Sequence, residues 1–428
     1  MRRGHGPRIV VVSHFCPFPA VHWNRSRLLA LLRWLRAQGL QITFVLQPLD
    51  VDDRSGISRL AEVVDRLDVV QVHPRGARIR QVVRRIGARM VRVVFPREAA
   101  NSLRQVFWLR RPSGPEIWGT EDLGGDGSID RWCWPATCRA VVRAVRRDRP
   151  IAVMTEYALL SKCLEGVPGS VSKLIDTVEV FFRQRERFQP EGLAAPFACS
   201  PESEEVALRR ADVLVAIQKN DAEALRTLFP EKRVITVAHA YRLIRRRESG
   251  PVDGTVLYVG SSNPFNVHGL QLFLKQAWPT ILDRIPGATL RIVGSMPPVQ
   301  DVPSPHIVHV GRVSDDELAT EYQTAHVVIN PQIAGTGLKI KCVEALSAAC
   351  PLVVNRAGAD GLEEGAGTAF LMATDWQDFA SHVVRILSDA TMRRELEVRA
   401  RQLAERMFSP DAAFSELVPI LTGSRVVL

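Results

Sequence analysis

Residues 335–344 read Gly-Thr-Gly-Leu-Lys-Ile-Lys-Cys-Val-Glu and bring three chemical devices together. Gly335 and Gly337 carry no Cβ, so the backbone around Thr336 can bend and approach a ligand closely. A helix expected from about Leu338 turns its unpaired N–H groups and positive dipole end toward that loop, which suits a phosphate. Lys341 and Glu344 lie three residues apart and share one helical face. The ammonium groups of Lys339 and Lys341 would meet a diphosphate, while Glu344 would accept hydrogen bonds from two neighbouring hydroxyls, as on a ribose. The chain has seven lysines against 49 arginines, so two lysines this close at such a turn are an uncommon placement. The same residues also fit a plain loop-to-helix junction with an exposed Lys–Glu pair.

The flanking elements favour the chemical reading. Val327–Pro331 is a short apolar strand ending at the loop, and Pro351–Asn355 is another just after the helix. This βαβ unit puts the loop at the carboxyl end of its first strand, where open α/β sheets bind ligands. The whole run, continued by Gly358, Asp360, Gly361 and Leu362, resembles the donor-binding core of GT-B glycosyltransferases, in particular the large retaining family four. The resemblance is specific over residues 255–375 and weaker over the first half. It implies an α/β fold of two Rossmann-like, doubly wound domains facing a cleft. It also implies that Glu344 holds the ribose and Lys341 the diphosphate of a nucleotide-sugar, with Gly335, Thr336, Gly337 and Lys339 around them.

Other segments match that family with departures. Val259–Gly269 corresponds to the loop after the donor domain's first strand. Many relatives carry an arginine after its first glycine and a lysine before the later one; here Ser261 follows Gly260, and His268 takes the second place. That shifts neutralisation of the diphosphate onto Lys339, Lys341 and the helix N-terminus. Arg312, in Val310-Gly311-Arg312-Val313, falls in a strand-end loop whose backbone reads the base in relatives. Eight positions before Glu344, where relatives often have a second glutamate, stands Thr336. In the first half, the loop after the first strand lacks the usual glycine pair but keeps Arg25 and Arg27, candidates for the cleft or simply surface residues at a helix start. Asp176 and Glu179 match a cleft-facing family segment in which Val178 replaces a histidine. Glu179 is the acidic catalytic candidate beside Lys341, and capping is the alternative role for either acid. Glu156 and Tyr157 occupy a further cleft-facing loop.

Composition is consistent with two ordinary globular domains in 428 residues. The expected division is a first, acceptor-binding domain over 1–245, a donor-binding domain over 246–405, and a helix over 406–428 crossing back. The charged, Gly/Pro-rich stretch 245–254 reads as the linker. No apolar run approaches a membrane span of ~20 residues, and the basic N-terminus runs straight into a strand at Ile9–Ser13, too short for a signal-peptide core. The chain is therefore expected to stay in the cytoplasm. Seven scattered cysteines form no metal spacing, so reduced thiols and no metal are expected. No cofactor is implied beyond the nucleotide-sugar substrate.

A net charge of +10 points to an anionic partner. Residues 75–111 hold eleven arginines and one acid, Glu98, with apolar residues at helical spacing. Such a helix fits the inner face of an anionic membrane, or a glycan or lipid-linked acceptor, and equally a solvated surface helix. Nucleic acid is not expected, since no stacking aromatics accompany the arginines. The function expected is metal-independent sugar transfer with retention. The alternatives are an inactive GT-B-like partner protein and a nucleotide-sugar epimerase.

Overall fold

The computed structural model describes residues 6–19, 23–48, 54–70, 128–182, 199–241, 243–244, 250–297, 305–334 and 338–422. The arginine-rich segment 75–111 and the loop residues Gly335, Thr336 and Gly337 lie outside the described residues.

Two parallel sheets organise the chain. Among the described residues the first has seven strands in the order β3-β2-β1-β4-β5-β6-β7, and the second has six in the order β10-β9-β8-β11-β12-β13. In each sheet the chain starts near the middle, winds outward in one direction, then returns to wind the other way. That reversal leaves a crevice outside the strand ends. The first sheet comprises β1 (Arg8–Ser13), β2 (Gln41–Leu46), β3 (Arg66–Val69), β4 (Ala152–Glu156), β5 (Ser172–Asp176), β6 (Val213–Ala216) and β7 (Arg233–Thr236). The second comprises β8 (Thr255–Val259), β9 (Thr289–Val293), β10 (Ile307–Gly311), β11 (Val327–Asn330), β12 (Leu352–Asn355) and β13 (Leu371–Ala373). Central strands such as β1, β4, β6 and β11 are buried nearly end to end, as expected where helices cover both faces.

The third strand lies earlier than the apolar residues of this stretch suggest. The apolar run Val69–Val72 marks it too late; β3 is Arg66–Val69, with a partly exposed pattern. Among the described residues it pairs with β2 alone, as an edge strand, so its polar residues Arg66 and Asp68 cost little, and hydrophobicity alone misplaces it.

Helices form where capping and apolar faces agree. α1 (Trp23–Ala37) precedes Gly39 at φ +81°, a left-handed stop. In the first domain there follow α2 (Arg54–Val63), α3 (Pro135–Asp148), α4 (Pro201–Arg209) and α5 (Lys219–Leu228). In the second, α6 (Pro264–Gln276) starts with Pro264 behind the Asn263 cap, and α7 (Trp278–Arg284) follows. α8 (Asp315–Thr324) opens on a reciprocal Ser314–Glu317 capping box. α9 (Ile340–Ser347) begins two residues later than the sequence suggested, with Lys339 at its N-cap. The helical stretch after Asp375 divides into α10 (Trp376–Ser388), α11 (Ala390–Phe408), α12 (Pro410–Phe414) and α13 (Val418–Leu421). The breaks fall at Asp389 and Ser409, whose side chains cap the helices that follow.

The last residues cross between the domains. α11 contributes Ala400, Leu403, Ala404 and Phe408 to the core around α9, whereas Ala413, Phe414, Leu417 and Leu421 are buried in the core of the first domain. Trp34 of α1 stacks obliquely on Phe414 at 5.4 Å and donates from Nε1 to Asp411 at 3.0 Å. All seven cysteines are free, and among the described residues no helix is long and apolar enough to cross a membrane.

Candidate active site

The donor-side candidates are assembled from three elements that meet at the carboxyl ends of β8 and β11. The loop Gly260–Asn263 leaves β8, and its backbone is pinned where Gly260 donates to Val293 at 2.9 Å. A Cβ on Gly260 would fall 2.7 Å from the Tyr258 hydroxyl, so this position requires glycine. α9 brings up Lys341 and Glu344, and α8 brings Tyr322.

Lys341 is half-buried. Its Nζ donates to Asn266 Oδ1 at 2.6 Å and stands 5.2 Å from the Tyr258 ring centroid, a cation–π distance. Burial, with Lys339 adding repulsion, pulls its pKa down to about 8, although Glu344 works in the opposite direction. The side chain therefore remains mostly charged at neutral pH, with much of its water shell already lost. Lys339 is buried at the mouth of α9, 4.0 Å from Asp360.

Glu344 accepts a hydrogen bond from Tyr322 Oη at 2.8 Å. Tyr241, from the connector after β7, lies beside the same carboxylate. Burial nevertheless pushes the carboxyl up to about 7; the two tyrosines and Lys341 favour its ionised form, and Asp315 opposes it. The Lys–Glu pair expected on one helical face is thus in place and partly desolvated rather than laid out in solvent. Ser261 is exposed, and its oxygens accept from Asn266 Nδ2 at 3.2 and 3.3 Å. Arg312 is exposed at the end of β10.

The first-domain candidates form a separate group. Arg27 is 1% exposed. It grips Asp176 through two nitrogens at 2.5 and 3.0 Å and donates to the Val237 carbonyl at 3.0 Å. Burial disfavours its charge, but the carboxylates of Asp176 and Glu156 outweigh this and raise its pKa. Glu156, at the end of β4 opposite Asp176, has a carboxyl held well above its ordinary range by burial and by the Asp176 charge, with Arg27 opposing. Arg27 and Asp176 thus brace the ends of β5 and β7 beneath the crevice. Arg25 donates to the Cys16 and Phe18 carbonyls at 2.8 and 3.2 Å and holds the loop after β1. Glu179 is half-buried, and its charge lies beside Tyr157. It follows Val178, which sits at φ +54° while the Glu179 N–H donates back to the Thr177 carbonyl. That is a γ-turn with a β-branched residue at positive φ, a strained conformation of the kind found at functional sites.

The two groups are connected at the domain boundary. Asn220 of α5 donates to Asp360 at 3.2 Å and to Glu363 at 2.8 Å, and Lys219 pairs with Glu364 at 3.0 Å. A cavity of about 320 Å³ lies alongside, lined by Gln218, Leu338, Gly361 and Phe408 among others. Lys341 and Glu344 do not line it. Sequence reasoning missed Asn266, Tyr258, Tyr322 and Tyr241. The Asn-Pro-Phe-Asn run hinted at the first; nothing in the sequence joins Tyr322 or Tyr241 to Glu344, because those pairings are made by the tertiary fold. Among the described residues no group of three or more His, Cys, Asp or Glu side chains is placed to hold a metal.

Two parallel-sheet domains with ligand-suited residues at the strand ends, joined by a C-terminal crossover, define the GT-B class of glycosyltransferase folds. Residues 253–389, which span most of the second domain, match the family described as Glycosyl transferases group 1. Among solved structures the chain is similar to sucrose-phosphate synthase from Thermosynechococcus elongatus, with 16% identity and a TM-score of 0.66, covering 98% of this chain and 100% of that one. It is similar to TarM at 8% identity and a TM-score of 0.65, covering 98% and 100%. Anabaena HepE in complex with UDP-glucose aligns at 11% identity with a TM-score of 0.55, covering 97% and 99%. An uncharacterized 44.6 kDa protein in the cps region of Klebsiella pneumoniae is 24% identical over 172 residues, 38% of this chain and 44% of that relative's own length.

Proposed function

We propose that the protein transfers a sugar from a nucleotide-sugar donor to a glycan, lipid-linked or small-molecule acceptor, with retention at the anomeric carbon and without a metal. The observation that carries this reading is the placement of Lys341 and Glu344 on one face of α9, desolvated and next to Lys339, at the carboxyl end of β11. The cations would take the diphosphate and Glu344 the ribose hydroxyls. As the anomeric C–O bond to the diphosphate breaks, negative charge grows on the leaving phosphate, and fixed cations in a water-poor site stabilise it. The acceptor oxygen bonds to the anomeric carbon on the same face, and its proton passes to the departing phosphate oxygen. This route needs no dedicated base, which suits a cleft where Val178 stands in place of histidine. HepE binds UDP and UDP-glucose, so uridine donors lead the candidates, and the relative in a cps region favours a polysaccharide or its lipid-linked precursor as acceptor. The arginine-rich segment 75–111 would bring such an acceptor, or the membrane holding it, to the first domain.

A thermal-shift panel of sugar nucleotides tests the reading. At least one donor should raise the melting temperature, and Glu344→Ala should abolish that rise. A rise unchanged by the substitution removes Glu344 from the donor site. Binding without turnover of any donor, hydrolysis included, would favour the non-catalytic partner.

A further inference from the structure

Asn266 stands where the donor-side elements meet, and nothing in the family pattern or the comparisons assigns it a task. It lies in the first turn of α6, is 9% exposed, and uses both ends of its carboxamide. Its Oδ1 takes the Lys341 ammonium at 2.6 Å, and its Nδ2 donates to the Ser261 backbone carbonyl at 3.3 Å and to Ser261 Oγ at 3.2 Å. Its own backbone carbonyl accepts from Tyr258 Oη at 3.1 Å. The neighbouring Asn263, by contrast, spends its side chain capping the helix.

The consequence is geometric. An ammonium has three donors, and Asn266 fixes one of them, leaving two to point elsewhere. Because Ser261 Oγ accepts from Nδ2, its own hydroxyl proton is directed away from Asn266. The amide cannot flip, since its NH₂ would then face the ammonium. One residue therefore sets the orientation of a cation on α9 and a hydroxyl on the loop after β8. Accepting the proposed donor reading, on which this rests, we infer that Asn266 is a positioning residue: it aims Lys341 and Ser261 together at the diphosphate, in place of the arginine that many relatives carry at position 261.

The test uses the full chain and isothermal titration with UDP, GDP and ADP between about pH 6.5 and 9.5. Lys341 faces Lys339, Cys342 and Glu344 from its own loop and helix, Asn266 from α6, and the Tyr258 ring from β8. Wild-type affinity should fall as the pH rises through about 8, where Lys341 loses its proton. Asn266→Ala should weaken nucleotide binding at neutral pH roughly ten-fold or more, the loss of a hydrogen bond to a charged group. Asn266→Asp keeps the shape but puts a carboxylate against the ammonium. It should weaken binding at neutral pH and move the pH midpoint upward, because the carboxylate holds the lysine proton. If Asn266 merely supports the fold and Lys341 does not meet the nucleotide, affinity and melting temperature fall together and that midpoint stays where it is. An unmoved midpoint in Asn266→Asp therefore overturns the inference alone. A wild-type protein that binds none of the three nucleotides overturns the donor reading and this inference with it.

Discussion

The partly buried carboxyl of Glu344 makes the candidate site a source of instability that can be measured without any ligand. Burial raises it from its ordinary 4.5 to about 7. The folded chain thus holds this proton more tightly than the unfolded chain does. Stability from this group is fully present below about pH 4.5 and is lost as the pH rises through about 7. Integrated between roughly pH 5 and pH 8, a shift of that size is worth about 2–3 kcal/mol. Glu344→Gln keeps an oxygen for the Tyr322 hydroxyl and removes the charge. The substituted protein should therefore melt higher than wild type near pH 8 while losing donor binding. For a domain of this size, about 2–4 °C per kcal/mol places the gain at roughly 5–10 °C. The gain should shrink to a couple of degrees near pH 5. Scanning calorimetry, with the two domains' transitions resolved, is the assay. A variant less stable than wild type at both pH values would refute the reasoning, because it would mean that the ionised carboxylate is a net stabiliser.

Substitutions at Arg27 and Tyr322 test the two groups of buried charges separately. Arg27→Met leaves Asp176 and Glu156 buried without their cation and should cost about 3–5 kcal/mol in urea unfolding of the first domain; a loss under ~1 kcal/mol would show that the pair is not a structural brace. Tyr322→Phe removes the 2.8 Å donation to Glu344, so the carboxyl rises further and nucleotide affinity near neutral pH falls about five- to ten-fold. That deficit should narrow as the pH increases and the carboxylate ionises regardless, and an unchanged Kd would exclude the tyrosine from the site.

The doubly wound parallel α/β class and the identity of α9 were legible because buried parallel strands read as continuous apolar runs and because the Lys-x-x-Glu spacing survives any tertiary arrangement. Edge elements were less so: β3 is half-polar, and its neighbouring apolar residues mislead. Arg25 and Arg27 could be placed at the start of α1 from sequence, but not separated. One now holds the loop after β1, and the other lies in a buried ion pair with Asp176, a difference set by helical phase relative to a strand 149 residues away in sequence. The shell around Lys341 and Glu344 was hidden for the same reason. Asn266, Tyr258, Tyr322 and Tyr241 come from four separate elements, and only packing brings them to one place.

The crossover at Ser409 bears on how the chain is made. Phe414, Leu417 and Leu421 complete the core of the first domain, yet they are synthesised after the whole of the second. The N-terminal sheet can collapse as it leaves the ribosome, but its face against Trp34 stays open until the whole of the second domain has been made. Domains usually mature in the order in which they are synthesised. Here the first domain is sealed last, and in the meantime the second domain must fold beside a neighbour with an unfinished apolar face.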